Sequence, residues 1–131
     1  MKNVIVTGTS SGIGLDTVVA LAKQGWRVFA TMRNTAKSGP LESALADAGV
    51  RDRVEIAQLD VTEPTSIAAA VETILSKTGG KLDAVVHNAG VAVGGAFEDV
   101  PDAQSRHVME TNFFGVVALT RTLMPTFRSQ R

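Results

Sequence analysis

Val4-Ile5-Val6-Thr7-Gly8-Thr9-Ser10-Ser11-Gly12-Ile13-Gly14 is the stretch that decides how this chain folds. A short β-branched run from Asn3 to Thr7 reads as a buried strand, and Gly8 to Ser11 break it. From Ile13 to Lys23 the apolar residues Ile13, Val18, Leu21 and Ala22 fall at helical spacing, and Gly25 ends the helix. Glycines between a strand and a helix permit a tight turn and let backbone amides come close to a phosphate. The helix start adds unpaired N–H groups and a partial positive charge. Thr9, Ser10 and Ser11 are expected to add hydroxyl donors. The spacing is G-x-x-x-G-x-G rather than the nucleoside-triphosphatase loop, and no Lys follows Gly14. Phosphoryl transfer therefore lacks its usual anchor. The plainer alternative is a glycine-rich connection with no ligand.

Outward from this loop, strands and helices alternate. Trp26 to Met32 is expected as a second strand, Asn34 to Pro40 as a polar loop, and Leu41 to Ala48 as a helix stopped by Gly49. Val54 to Leu59 is expected as a third strand. Pro64 opens a helix to about Lys77, with Thr62 as its N-cap and Gly79 and Gly80 at its end. Leu82 to His87 is a fourth strand, and Gly90 to Gly95 a loop. Pro101 opens a long helix with Val108, Met109, Phe113, Val116, Val117, Leu123, Met124 and Phe127 on its apolar side. Such alternation predicts an α/β fold with a parallel sheet and helices on both faces, in one domain over residues 1–131.

Composition narrows the function. Apolar residues make up 44% of the chain and charged ones 20%, a globular mix. Thirteen basic and thirteen acidic side chains cancel, so nothing points to nucleic acid or an anionic membrane. The longest apolar run, Phe113 to Leu119, is too short to span a bilayer. The absence of cysteine excludes a disulfide, a thiolate metal site and a cysteine nucleophile, and agrees with a cytoplasmic setting. No metal site is expected.

Four ordered matches resemble the short-chain dehydrogenase/reductase family: Thr7-Gly8-x-x-x-Gly12-Ile13-Gly14, Asp60-Val61, Asn88-Ala89-Gly90 and Asn112. The resemblance covers the whole chain and implies a Rossmann-type domain, a doubly wound parallel sheet of about four strands ordered 3-2-1-4. It implies that the glycine loop, including Ser10 and Ser11, holds a dinucleotide. It also implies that Asp60 and Val61 meet the adenine, that Asn88, Ala89 and Gly90 pass close to a ribose while Asn88 steadies the sheet, and that Asn112 is the Asn of a catalytic tetrad. A helix kink is expected near Gly115. The second strand ends Thr31-Met32-Arg33 with no carboxylate. A carboxylate there would bind a ribose 2′-OH, whereas a guanidinium suits a 2′-phosphate, so NADP(H) is preferred over NAD(H). His87 reads as a strand-end hydrogen-bonding residue, and His107 as solvated.

The family's remaining tetrad members are a Ser, a Tyr and a Lys that follow a fifth strand. The chain ends at Arg131 and contains no tyrosine. A complete domain of this type runs to roughly 250 residues. The expectation is therefore the cofactor-binding half of a carbonyl/alcohol oxidoreductase for small-molecule substrates, inactive alone. The alternatives are a non-catalytic dinucleotide-binding module and an inactive truncated fragment. The fourth strand becomes a sheet edge, and Phe114 and Val117 are candidate subunit contacts, so a homo-oligomer is expected.

Overall fold

Residues 1–131 are described by a computed structural model. Strands β1 (Asn3–Val6), β2 (Arg27–Met32), β3 (Val54–Gln58) and β4 (Ala84–Val86) pair in parallel in the order β3-β2-β1-β4. Helices α1 (Gly12–Lys23) and α2 (Gly39–Ala48) cover one face. Helices α3 (Pro64–Thr78) and α5 (Gly115–Ser129) cover the other, and α4 (Asp102–Met109) precedes α5. The expected α/β class and strand order are both present.

The two-residue period of the strands splits the core in two. Val4 and Val6 of β1, with Val28, Ala30 and Met32 of β2, pack against Val18 and Ala22 of α1 and against Leu41 and Leu45 of α2. Ile5 and Phe29 point the opposite way, onto Ile67, Ala70, Val71 and Ile74 of α3 and onto Leu119 and Leu123 of α5. The α3 residues recur at helical spacing, which presents one apolar stripe to the sheet.

Four local expectations are corrected. The polar stretch after β2 contains a 3₁₀ turn at Thr35–Lys37, and α2 starts at Gly39, because Pro40 near its N-terminus favours helix entry. Thr62 does not cap α3; Glu63 holds that position, and the Thr62 hydroxyl donates instead to Asp60 Oδ1 at 2.7 Å. β4 is only three residues long, within the six expected. The expected single long helix changes winding at a π turn, Glu110–Phe114, in which the Gly115 N–H donates to the Glu110 carbonyl. That altered winding stands where a kink was expected. It lets Gly115 lie so close to Val61 that an added Cβ would meet Val61 Cγ2 at 2.7 Å.

β4 is an edge strand, and α5 reaches its start. The Gln130 side-chain amide accepts from the Leu82 N–H at 2.8 Å and donates to the Leu82 carbonyl at 2.7 Å. A side chain thus pairs with backbone just before the strand, where a further strand would otherwise bond. No helix is long and apolar enough to cross a membrane.

Candidate functional site

A groove of about 350 Å³ opens at the carboxyl ends of the four strands, where ligands bind in doubly wound sheets. Its first wall is the glycine loop: Gly8, Ser10, Ser11, Ile13 and Gly14. Gly8 and Gly12 adopt φ values of +68° and +59°, which residues with a Cβ rarely adopt. Gly14 is required for contact: a Cβ there would collide with the Gly8 carbonyl oxygen and the Asn88 amide. The loop therefore folds back on itself and delivers the start of α1 to the groove. Ser11 caps α1 in extended conformation without spending its hydroxyl on the helix, and the first turn carries no acidic residue. The helix keeps its positive end and its free N–H groups for an anion.

The loop is held by side chains from two neighbouring strand ends. The Thr7 hydroxyl accepts from the N–H groups of Asn88 and Ala89 at 3.1 and 2.9 Å. The Asn88 amide donates to the carbonyls of Thr7 and Gly8 at 3.0 and 2.9 Å. Thr9, expected as an open donor, is instead fully buried, and its hydroxyl donates to the Thr31 carbonyl at 3.0 Å. Its position in the loop turns it down toward β2. Ser10 and Ser11 keep hydroxyls that bond to nothing within the chain.

The second wall lies at the ends of β2 and β3: Met32, Arg33, Leu59 and Val61. Arg33 is exposed and its guanidinium makes no ion pair with a carboxylate. Asp60 sits beside the groove rather than lining it. Its Oδ1 accepts from the Thr62 N–H at 2.9 Å in an Asx turn, so this carboxylate shapes the chain that presents Val61. Gly12 also lies outside the lining.

Asn88, Ala89, Gly90 and Val91 form the third wall, closed by Thr111. Asn112 lies elsewhere. It is exposed and lines a separate, mostly apolar cavity of about 610 Å³ beneath the loop from Val91 to Val100. Its amide accepts from the Val91 N–H and donates to the Val91 carbonyl, both at 2.8 Å, and its side chain lies behind Gly90 without lining the groove. His87 makes a strand-end hydrogen bond with Thr120 at 3.0 Å, and burial holds its ring below the usual imidazole range. Thr7, which holds the loop without lining the groove, and the groove residues Met32, Leu59 and Thr111 are not singled out by the sequence. Thr7 stood in the motif and could have been found as a strand-end hydroxyl. The others are apolar or helical positions with no sequence signature.

The family model described as short chain dehydrogenase matches residues 2–131. Bovine (Bos taurus) retinol dehydrogenase 8 is 39% identical over 133 residues, covering 99% of this chain and 41% of the relative. A phenylalanine-to-tryptophan variant of actinorhodin polyketide ketoreductase, solved with NADPH, is 33% identical with a TM-score of 0.86, covering 95% of this chain and 47% of that one. The 3-ketoacyl-(acyl-carrier-protein) reductase of Brucella melitensis, solved with NADH, is 31% identical with a TM-score of 0.86, covering 98% and 50%. The chain therefore spans about two-fifths to half the length of these proteins.

Proposed function

Because this chain belongs to the short-chain dehydrogenase family, we propose that it is the cofactor-binding part of an NADP(H)-dependent carbonyl/alcohol oxidoreductase. One observation carries this reading: the uncommitted donors at the start of α1 share a groove with Arg33, and no carboxylate lines that groove. The donor set suits a doubly charged pyrophosphate at one end and a 2′-phosphate at the other.

In this reading the loop amides from Gly8 to Gly14, with Ser10 and Ser11, hold the pyrophosphate, and Gly12 contributes by its conformation. Arg33 meets the 2′-phosphate. Val61, presented by Asp60, covers the adenine. Asn88, Ala89 and Gly90 border the nicotinamide-side ribose. The bound nicotinamide would supply the hydride chemistry. Asn112 is assigned the Asn of the family's tetrad, with its side chain engaged by Val91. None of the 131 residues is a tyrosine, so this chain alone binds cofactor without turning over a carbonyl or alcohol. That outcome also describes the second reading, a non-catalytic dinucleotide-binding module.

Calorimetric titration of the 131-residue chain with NADPH, and with NADH as control, tests the proposal. Micromolar binding with NADPH preferred is expected. Equal or tighter NADH binding would remove the assigned role of Arg33, and no binding to either would remove the site. The same reading makes the protein a cytoplasmic homo-oligomer. Met109, Phe113 and Phe114 are about half exposed on the α4–α5 surface, and β4 is an edge. Sedimentation at micromolar concentration should show a dimer or larger species, and a clean monomer would count against it.

A further inference from the structure

Within the second wall of the groove, the ends of β2 and β3 are joined by a relay through Gln58 and Ser66, whose side chains do not line the groove. The Asp60 N–H donates to Ser66 Oγ at 2.9 Å. The Ser66 hydroxyl donates to Gln58 Oε1 at 2.9 Å. The Gln58 side-chain N–H donates to the Arg33 carbonyl at 3.3 Å. Asp60 precedes Val61 on the β3 side of that wall, and Arg33 belongs to its β2 side.

The relay completes a pattern in the backbone. At the end of β2 the Thr31 carbonyl is held by the Thr9 N–H at 3.1 Å, and the Met32 carbonyl by the Leu59 N–H at 2.9 Å. Arg33 lies one residue beyond β2, where the ladder has run out. Gln58, which pairs with Met32 in the β2–β3 register, supplies the next donor from its side chain. A side-chain amide can rotate away, but Ser66 binds its oxygen end and directs its N–H toward Arg33. Ser66 stands on the first turn of α3 and takes its own orientation from the Asp60 N–H.

We infer that Gln58 and Ser66 are positioning residues for cofactor selectivity: they fix the Arg33 backbone relative to Val61 and so place the guanidinium for a 2′-phosphate. The inference rests on the reading that Arg33 meets that phosphate. Neither residue touches the cofactor, so their effect falls on the ratio of NADPH to NADH affinity rather than on dinucleotide binding as such. One net hydrogen bond corresponds to about a two- to tenfold change in that ratio.

The test is calorimetric titration of the chain and four variants, Gln58→Met, Ser66→Ala, Ser66→Thr and Arg33→Ala, with NADPH and with NADH. Gln58→Met and Ser66→Ala are each expected to lower the NADPH:NADH preference about two- to tenfold. Their double variant should fall no further than either single, because the relay is a series. Ser66→Thr keeps the hydroxyl and should keep the preference. An unchanged ratio in both single variants, with Arg33→Ala still abolishing the preference, overturns the inference alone. If Arg33→Ala also leaves the ratio unchanged, the reading beneath it fails. Ser66 and Gln58 lie outside both buried clusters, so the variants are expected to fold, and a thermal melt checks each.

Discussion

The two ends of the groove are built by opposite means. At the glycine-loop end, geometry is set by backbone: two left-handed glycines, a contact too close for any side chain at Gly14, and amides and hydroxyls that bond main chain to main chain across β1 and β4. At the Arg33 end, geometry is set by exposed side chains bonded in sequence. The first arrangement tolerates almost no substitution and serves any dinucleotide. The second can change one residue at a time and, in the proposed reading, separates one dinucleotide from another. On that reading, rigidity sits where the ligand is common, and adaptability where ligands differ.

Gly14→Ala should break the comparison most severely. The added methyl would strike the Gly8 carbonyl and the Asn88 amide, and the loop cannot yield without moving α1. A loss of about 3 kcal/mol in chemical denaturation is expected, the upper end for overpacking, together with loss of binding to both cofactors. Asn88→Ala should follow. It strands two half-buried carbonyls and should cost about 1–3 kcal/mol. Arg33→Ala should sharpen the contrast: stability unchanged, NADPH affinity down about ten- to hundredfold, NADH affinity little altered, as read by parallel titrations.

The smallest effect is expected from pH. Burial lowers the His87 pKa in the folded chain relative to the ordinary 6.5. The unfolded chain then binds the proton first, so stability falls as pH drops below about 6.5 and levels off once the folded ring also protonates. His87→Gln should flatten that part of a pH–stability profile. An identical slope in the variant would assign the dependence to another group.

This contrast also explains what could be read from sequence. The backbone-built end is legible because glycine spacing records backbone constraint directly; alternation gives the α/β class, and the strand order comes with the family resemblance. The sheet-steadying role of Asn88 comes from the family resemblance rather than from glycine spacing. Thr9 was misplaced because composition shows a hydroxyl but not which way it turns. Thr62 looks like a cap in the sequence but does not cap, because the competing acceptor, Asp60 Oδ1, lies only two residues away. The side-chain end was barely legible beyond Arg33. Gln58 and Ser66 are ordinary polar residues eight positions apart that meet only after β3 turns into α3. Asn112 is marked by the family resemblance alone, and its partner Val91 is fixed by tertiary structure.

The π turn at Glu110–Phe114 works as a phase shift. A π turn winds wider than the α-helix around it, so the side chains after it are rotated about the axis relative to an uninterrupted helix. Thr111 shows the cost locally: its hydroxyl is buried with no partner, whereas a threonine in regular helix can bond the carbonyl a turn earlier. The gain lies downstream, where Gly115, Leu119 and Leu123 all face inward at one-turn intervals while Met109 faces out. Deleting one residue within the turn would restore ordinary winding and swing that stripe off α3. For this helix the number of residues in the turn is thus as binding a constraint as their identity: a single-residue deletion there would turn Gly115 from Val61 and open the groove from behind.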